Sequence, residues 1–201
     1  MLLSVLLASA SALAAPATID SKCRCTPGQA CWAAVPWSAL NASVGGRLER
    51  SVDELQACID DEASEQCTAA LNMTDDEFWL GSKPNGYQHT GLFGVWNTSK
   101  DRSEYSVKAQ TEQDFVETVQ FAGKHNLRLV VKATGHDWYG RSTAAGSLLL
   151  WTHQRKKITW QSSFPAPEGK GVPAVTVQSG VQFSDMYPAA QTVPYPGDTV
   201  R

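Results

Sequence analysis

A chain of 201 residues, 42% hydrophobic and 18% charged, can bury one globular core and is not composed like a disordered segment. The formal charge of −3 is mixed in sign along the chain and no basic stripe with interleaved aromatics appears, so no nucleic acid partner is expected. After the opening residues no stretch approaches the roughly 18 uninterrupted apolar residues of a membrane span, and none is expected.

Residues 1–15 run apolar through Leu2, Leu3, Val5, Leu6 and Leu7, then close on Ala12-Leu13-Ala14-Ala15 before Pro16. That is the pattern of a secretory signal with an A-x-A-like cleavage site, although no Lys or Arg precedes the apolar run. A buried N-terminal helix is the competing reading. The five cysteines, Cys23, Cys25, Cys31, Cys58 and Cys67, all lie in the first third of the chain. Such clustering suits a disulfide-stapled segment in an oxidising compartment, with one thiol left over and the connectivity open. A metal site at Cys23-Arg24-Cys25 lacks the second ligand pair at zinc spacing. Sequons at Asn41, Asn72 and Asn97 are candidate glycosylation sites and agree with export.

Residues 23–80 read as a turn-rich lead-in, helical around 51–58 and 60–71, with Cys58 and Cys67 placed to pin the two pieces. Residues 81–103, rich in Gly, Asn, Ser and Lys, read as a loop carrying the aromatic pair Phe93 and Trp96. Tyr105-Ser106-Val107-Lys108-Ala109 alternates like a half-buried strand. Thr111, with Asp114 three residues on, then predicts a capped helix to about His125, presenting Phe115, Val116, Val119 and Ala122 on one face. Asn126 suits a left-handed exit. Leu127-Arg128-Leu129-Val130-Val131 predicts a buried strand that completes a parallel β-α-β unit. Beyond it come a glycine-bounded polar loop, an apolar strand at Leu148-Leu149-Leu150-Trp151, a Pro- and Gly-rich connection over 162–173, a strand over 174–178 and a helix from about Gln182.

The loop Thr134-Gly135-His136-Asp137 with Gly140-Arg141-Ser142 carries the chemistry. Glycines let backbone N–H groups approach an anion closely, and Arg141 and Ser142 can donate to it. A polar turn with an internally bonded histidine would have the same composition. A hydrolase reading fails, because Ser147 has no nucleophile-elbow context and His136, His153 and Asp137 show no triad order.

These motifs, with Cys23-Arg24-Cys25-Thr26-Pro27-Gly28, Val44-Gly45-Gly46-Arg47-Leu48, Ala145-Gly146-Ser147-Leu148 and Trp151-Thr152-His153, resemble the fungal FAD-linked oxidoreductases with a PCMH-type FAD-binding domain, relatives of berberine-bridge enzymes and vanillyl-alcohol oxidases. The resemblance implies an α+β fold, the N-terminal part of such a domain. It implies FAD as cofactor, bonded covalently through His136, with Thr134, Gly135, Asp137, Gly140, Arg141 and Ser142 in the cofactor-binding loop. Implied partners are a small-molecule substrate, a small alcohol or a secondary metabolite such as an alkaloid precursor, and oxygen as electron acceptor. No catalytic residue is assigned. The expected division is a signal over 1–15, a lead-in over 16–103, a first FAD-binding subdomain over 104–191 and an atypical tail over 192–201. Because the tail departs from the family where a second flavin subdomain would follow, the 201 residues alone are expected to be inactive. The alternative is a non-catalytic secreted protein or a pseudogene product.

Overall fold

The computed structural model describes residues 23–53, 55–86, 102–137, 141–165, 167 and 169–192. The leader, Phe93, Trp96, Asn97, Gly140 and the tail from residue 193 lie outside the described residues. The fold is α+β, as expected.

Four short helices and a strand make up the first part of the lead-in: α1 (Ala30–Ala33), α2 (Trp37–Ser43), β1 (Leu48–Arg50), α3 (Gln56–Asp60) and α4 (Glu65–Asn72). Helix α5 (Glu77–Gly81) follows, with Asp76 as N-cap accepting from the Phe78 and Trp79 amides. The predicted helices at 51–58 and 60–71 are therefore shorter and begin later. Ser64, which accepts from Cys67 N, supplies the start of α4. Disulfides join Cys25 to Cys31 and Cys58 to Cys67, the second pinning α3 to α4, and Cys23 is an exposed free thiol.

Strand β2 (Tyr105–Lys108), helix α6 (Glu112–Lys124), β3 (Arg128–Lys132) and β4 (Ser147–Trp151) complete a sheet of order β1-β2-β4-β3. β1 is antiparallel to β2, whereas β4 is parallel to both β2 and β3. The β-α-β unit thus forms, but β4 inserts between its two strands and supplies both with hydrogen bonds. β4 qualifies for the centre because all its residues are apolar or small enough to bury.

The end of α6 is fixed by Asn126 at φ 52°, whose carbonyl accepts from Cys25 N and whose side chain reaches Cys23 O and Arg24. Those contacts draw the N-terminal segment across the sheet. Cys25, Leu40, Val44, Val107, Ala109, Ala122, Leu127, Leu148 and Leu150 form the core, with Trp37 stacked on Tyr105 at 4.2 Å. The apolar face expected for α6 is rotated. Val116 and Val119 are 44% and 50% exposed, while Asp114, Thr118 and Ala122 are buried. The cause is polar: Asp114 has to face inward to meet Arg47.

Arg47 donates through Nε and Nη2 to the two Asp114 oxygens at 3.0 and 2.5 Å. The same carboxylate accepts from the Gln110 and Thr111 amides at 2.8 and 2.9 Å, and the Thr111 hydroxyl oxygen in return accepts from Asp114 N. The capping box therefore doubles as an ion pair between the entry to β1 and the start of α6. Burial raises the Asp114 carboxyl, but the bonds from Arg47, Thr111 and Gln110 outweigh it and hold the group at about 2.

After β4 the chain forms a hairpin of β5 (Ile158–Pro165) and β6 (Gly171–Val177), then α7 (Phe183–Gln191). This corrects the predicted connection over 162–173. Its first residues extend β5 past an irregularity after Gln161, and β6 starts three residues before Ala174. Gly and Pro marked the turn correctly but not its length.

Asp114→Ala should lower stability by roughly 1–2 kcal/mol in urea unfolding, the cost of a lost helix cap, since it leaves the Gln110 and Thr111 amides without their acceptor while Arg47 turns to solvent. A carboxyl depressed on folding stabilises above its unfolded value and stops doing so as pH falls through its folded one. The gap between parent and variant should accordingly narrow as pH falls from about 4 towards about 2. A gap constant over that interval would contradict the assignment.

Candidate functional site

β3 and β4 run parallel and end side by side at Lys132 and Trp151, so the loop between them starts at the carboxyl edge of the sheet. Open α/β sheets bind ligands beyond that edge. Each end of the polar loop is tied down. At its entry Trp151 Nε1 donates to Ala133 O at 3.0 Å, and Thr152 N donates to Lys132 O at 2.8 Å. The Lys132 side chain, 2% exposed, points under the loop and donates from Nζ to Lys83 O at 3.0 Å and Pro84 O at 2.6 Å. At its exit the Asp137 carboxylate accepts from Arg141 N at 2.5 Å and from Arg141 Nη2 at 2.6 Å.

Between these ties Gly135 adopts φ 101°, which L side chains rarely adopt, and turns the chain so that His136 is exposed at the surface. Thr134 is buried beneath it and Ser142 is half-buried. Gly140 lies outside the described residues. His136 and Thr134 line a cavity of about 490 Å³ with Phe78 of α5, Val177 of β6, and Phe183 and Met186 of α7. Its size and its mixture of apolar walls with a few polar groups are those of a small-molecule site.

Sequence reasoning found one wall of this cavity and missed the other. Val177 and the helix starting near Gln182 were anticipated as elements, but nothing in their periodicity says that Phe183, 66% exposed, would face the histidine loop. Helix α5 was signalled only by Asp76, a cap residue inside a turn-rich stretch.

His153 follows the end of β4 and stacks on the Trp151 indole, centroids 5.8 Å apart. Burial, then Lys156 and Lys132, lower its imidazole below the ordinary range against the opposing pull of Asp185, and its Nδ1 has no hydrogen-bond partner among the described residues. Arg141 is 76% exposed, and its guanidinium rises above its ordinary value through the hydrogen bond to Asp137. Its Nε and Nη2 thus serve the loop itself.

Residues 103–195 match the family described as "FAD binding domain". An FAD-linked oxidoreductase of Arthroderma benhamiae is 35% identical over 187 residues, covering 83% of this chain and 33% of the relative. The FAD-linked oxidoreductase patO of Penicillium expansum is 34% identical over 204 residues, covering 90% and 33% respectively. Among solved structures, the VAO-type flavoprotein MtVAO713 from Myceliophthora thermophila C1 superposes with a TM-score of 0.71 at 31% identity, over 84% of this chain and 33% of that one. Residues 103–195 carry an FAD binding domain, and the chain is similar to fungal FAD-linked oxidoreductases and to a VAO-type flavoprotein. It spans about a third of the length of the curated relatives it matches.

A VAO-type flavin domain makes sense of the loop. The residues fit FAD: a glycine at positive φ keeps Cβ atoms away from an approaching cofactor, the histidine is presented rather than buried, and the apolar cavity wall offers a surface for a flat ring system.

Gly135→Ala should destabilise the loop by roughly 1–2 kcal/mol, the cost of a left-handed backbone for an L residue. It should also lower FAD occupancy. Both are read by thermal unfolding and by the flavin-to-protein absorbance ratio of the purified full-length protein. Unchanged occupancy would mean that the turn at Gly135 does not shape the site.

Proposed function

We propose that this chain holds FAD in a secreted oxidoreductase, with His136 bonded covalently to the 8α-methyl carbon of the flavin. The observation that carries the reading is the placement of His136, exposed on the cavity wall at the carboxyl edge of the parallel strands β3 and β4 and between two tied points of one loop. The bound flavin supplies hydride acceptance from a substrate carbon and return of the electrons to oxygen.

The chain's own residues bind and orient. His136 offers an imidazole nitrogen as the point of attachment. Thr134 and the Gly135 backbone border the cofactor, and the Asp137–Arg141 pair closes the loop on the far side of the histidine. Gly140 and Ser142 complete the expected binding loop. Attachment through a histidine prevents loss of the cofactor in a dilute medium, which suits an exported enzyme. Two disulfides and the exposed sequon asparagine Asn72 at the end of α4 support export, with Asn41 and Asn97 as further glycosylation sites. Asn41 also serves the fold, its side-chain oxygen accepting from Leu48 N at 3.1 Å. The substrate is a small alcohol or a secondary metabolite; the relatives' names as FAD-linked oxidoreductases support the reaction class.

The test compares full-length protein with its His136→Ala variant after acid precipitation. The parent should keep its flavin in the pellet, and the variant should release it to the supernatant. Flavin retained in the variant's pellet would assign the attachment elsewhere.

A further inference from the structure

Resting on the reading that His136 carries the flavin, we infer that Trp151 is a positioning residue for that attachment, acting through the single hydrogen bond from its indole N–H to Ala133 O. Attachment joins an imidazole nitrogen to the 8α carbon and releases one proton from each. Two electrons remain on the flavin, and oxygen removes them with those two protons as hydrogen peroxide. Each proton leaves to solvent water before it reaches oxygen, and what the protein adds is geometry. Its contribution is to hold the nitrogen in bonding range of the carbon, where small displacements are costly.

The loop bearing His136 can drift at two places, its entry and its exit. The exit is closed locally by Asp137 and Arg141, both within the loop. The entry is closed from outside, by Trp151 at the end of the neighbouring strand and by the backbone of Thr152 that follows it. Ala133 lies three residues before His136 and two before Gly135, so a shift of its carbonyl propagates directly into the histidine.

The indole is itself held in one pose. It is 1% exposed, at the end of a strand in which every residue is buried. Lys132 Nζ lies 5.7 Å and Lys108 Nζ 5.8 Å from its ring centroid, and the His153 ring stacks on it at an interplanar angle of 10°. Cations within about 6 Å of an indole face are attracted to it. A donor gripped by the sheet, by two ammonium groups and by a stacked ring makes a fixed reference for the loop. Bulk alone would fill the space equally well without an N–H, and that difference is what an experiment can separate.

Full-length protein, prepared as flavin-free apoprotein, is mixed with FAD, and acid-stable flavin is followed in time alongside reversible FAD binding and the unfolding temperature. Three forms are compared with the parent: Trp151→Phe, His136→Ala, and a protein carrying β-(3-benzothienyl)alanine at position 151, which keeps the bicyclic ring and replaces the N–H by sulfur. The benzothienyl form preserves shape, so it remains informative where Trp151→Phe fails to fold. It should bind FAD reversibly with an affinity within about twofold of the parent, and form acid-stable flavin about tenfold more slowly. A purely space-filling tryptophan would leave the attachment rate of the benzothienyl form equal to that of the parent, and that result overturns the inference. His136→Ala separates the two readings. Acid-stable flavin in that variant means that the attachment itself is misassigned, whereas its loss there together with a parental rate in the benzothienyl form removes only the role of Trp151.

Discussion

β4 has to find hydrogen-bonding partners on both edges and apolar cover on both faces, because every one of its residues is buried. β2 and β3 supply the edges in parallel register, Tyr105 to Lys108 on one side and Arg128 to Lys132 on the other. Leu148 and Leu150 supply the contact with the core under α6. Most of the architecture follows. The β2–α6–β3 crossover has to leave a strand-wide gap, and α6 has to lie over that gap. The loop that returns the chain from β3 to β4 has to begin and end within the width of two adjacent strands. The polar loop with His136 is the upper part of that return, so the most buried strand of the sheet sets the boundary conditions of its most exposed functional segment.

The ion pair of Asp114 with Arg47 works at the other end of the same device. It fastens the start of α6 to the segment entering β1, and the same carboxylate accepts from the Gln110 and Thr111 amides just before the helix while the Thr111 hydroxyl accepts from the helix amide of Asp114. A buried carboxylate so fully bonded contributes registry as much as stability, since only one rotation of α6 brings it to Arg47. That rotation turns Val116 and Val119 outward. Apolar periodicity was therefore the weaker signal and the capping box the stronger one.

This contrast bears on what the sequence made legible. Elements written in local chemistry could be read directly: the Thr111 cap, the left-handed Asn126, the alternation in β2, the apolar run of β4, the helix start at Gln182. The Cys58–Cys67 staple was readable as well, because two helical patterns flank it. Relations between distant segments were not readable. Leu127-Arg128-Leu129-Val130-Val131 carries no mark that its neighbour is β4 rather than β2, since parallel pairing has no turn to encode it. No strand was expected at β5, and its second half was read as connection because Ser162, Ser163 and Pro165 look like loop, yet an irregularity after Gln161 lets the strand continue. At the site, the loop motif was legible by resemblance to a family, whereas Phe78 and Phe183 come to the cavity from 58 residues before His136 and 47 residues after it.

The cavity wall explains an apparent flaw in the fold. Phe78 and Phe183 are 72% and 66% exposed, and Val177 is 43% exposed, beside other exposed apolar side chains such as Val52, Val131 and Tyr187. Apolar side chains gathered at one place without cover are destabilising unless something apolar is bound there. Phe78, Val177 and Phe183 lie with Thr134 and His136 on the same cavity. A flat aromatic cofactor brought to that wall would remove the exposed surface from water while meeting the histidine at its rim. The rigid side of the site is the sheet edge with its tied loop, and the unsatisfied side is the apolar wall opposite. Binding energy is available from the second and geometric precision from the first, and a covalent bond at His136 needs both at once.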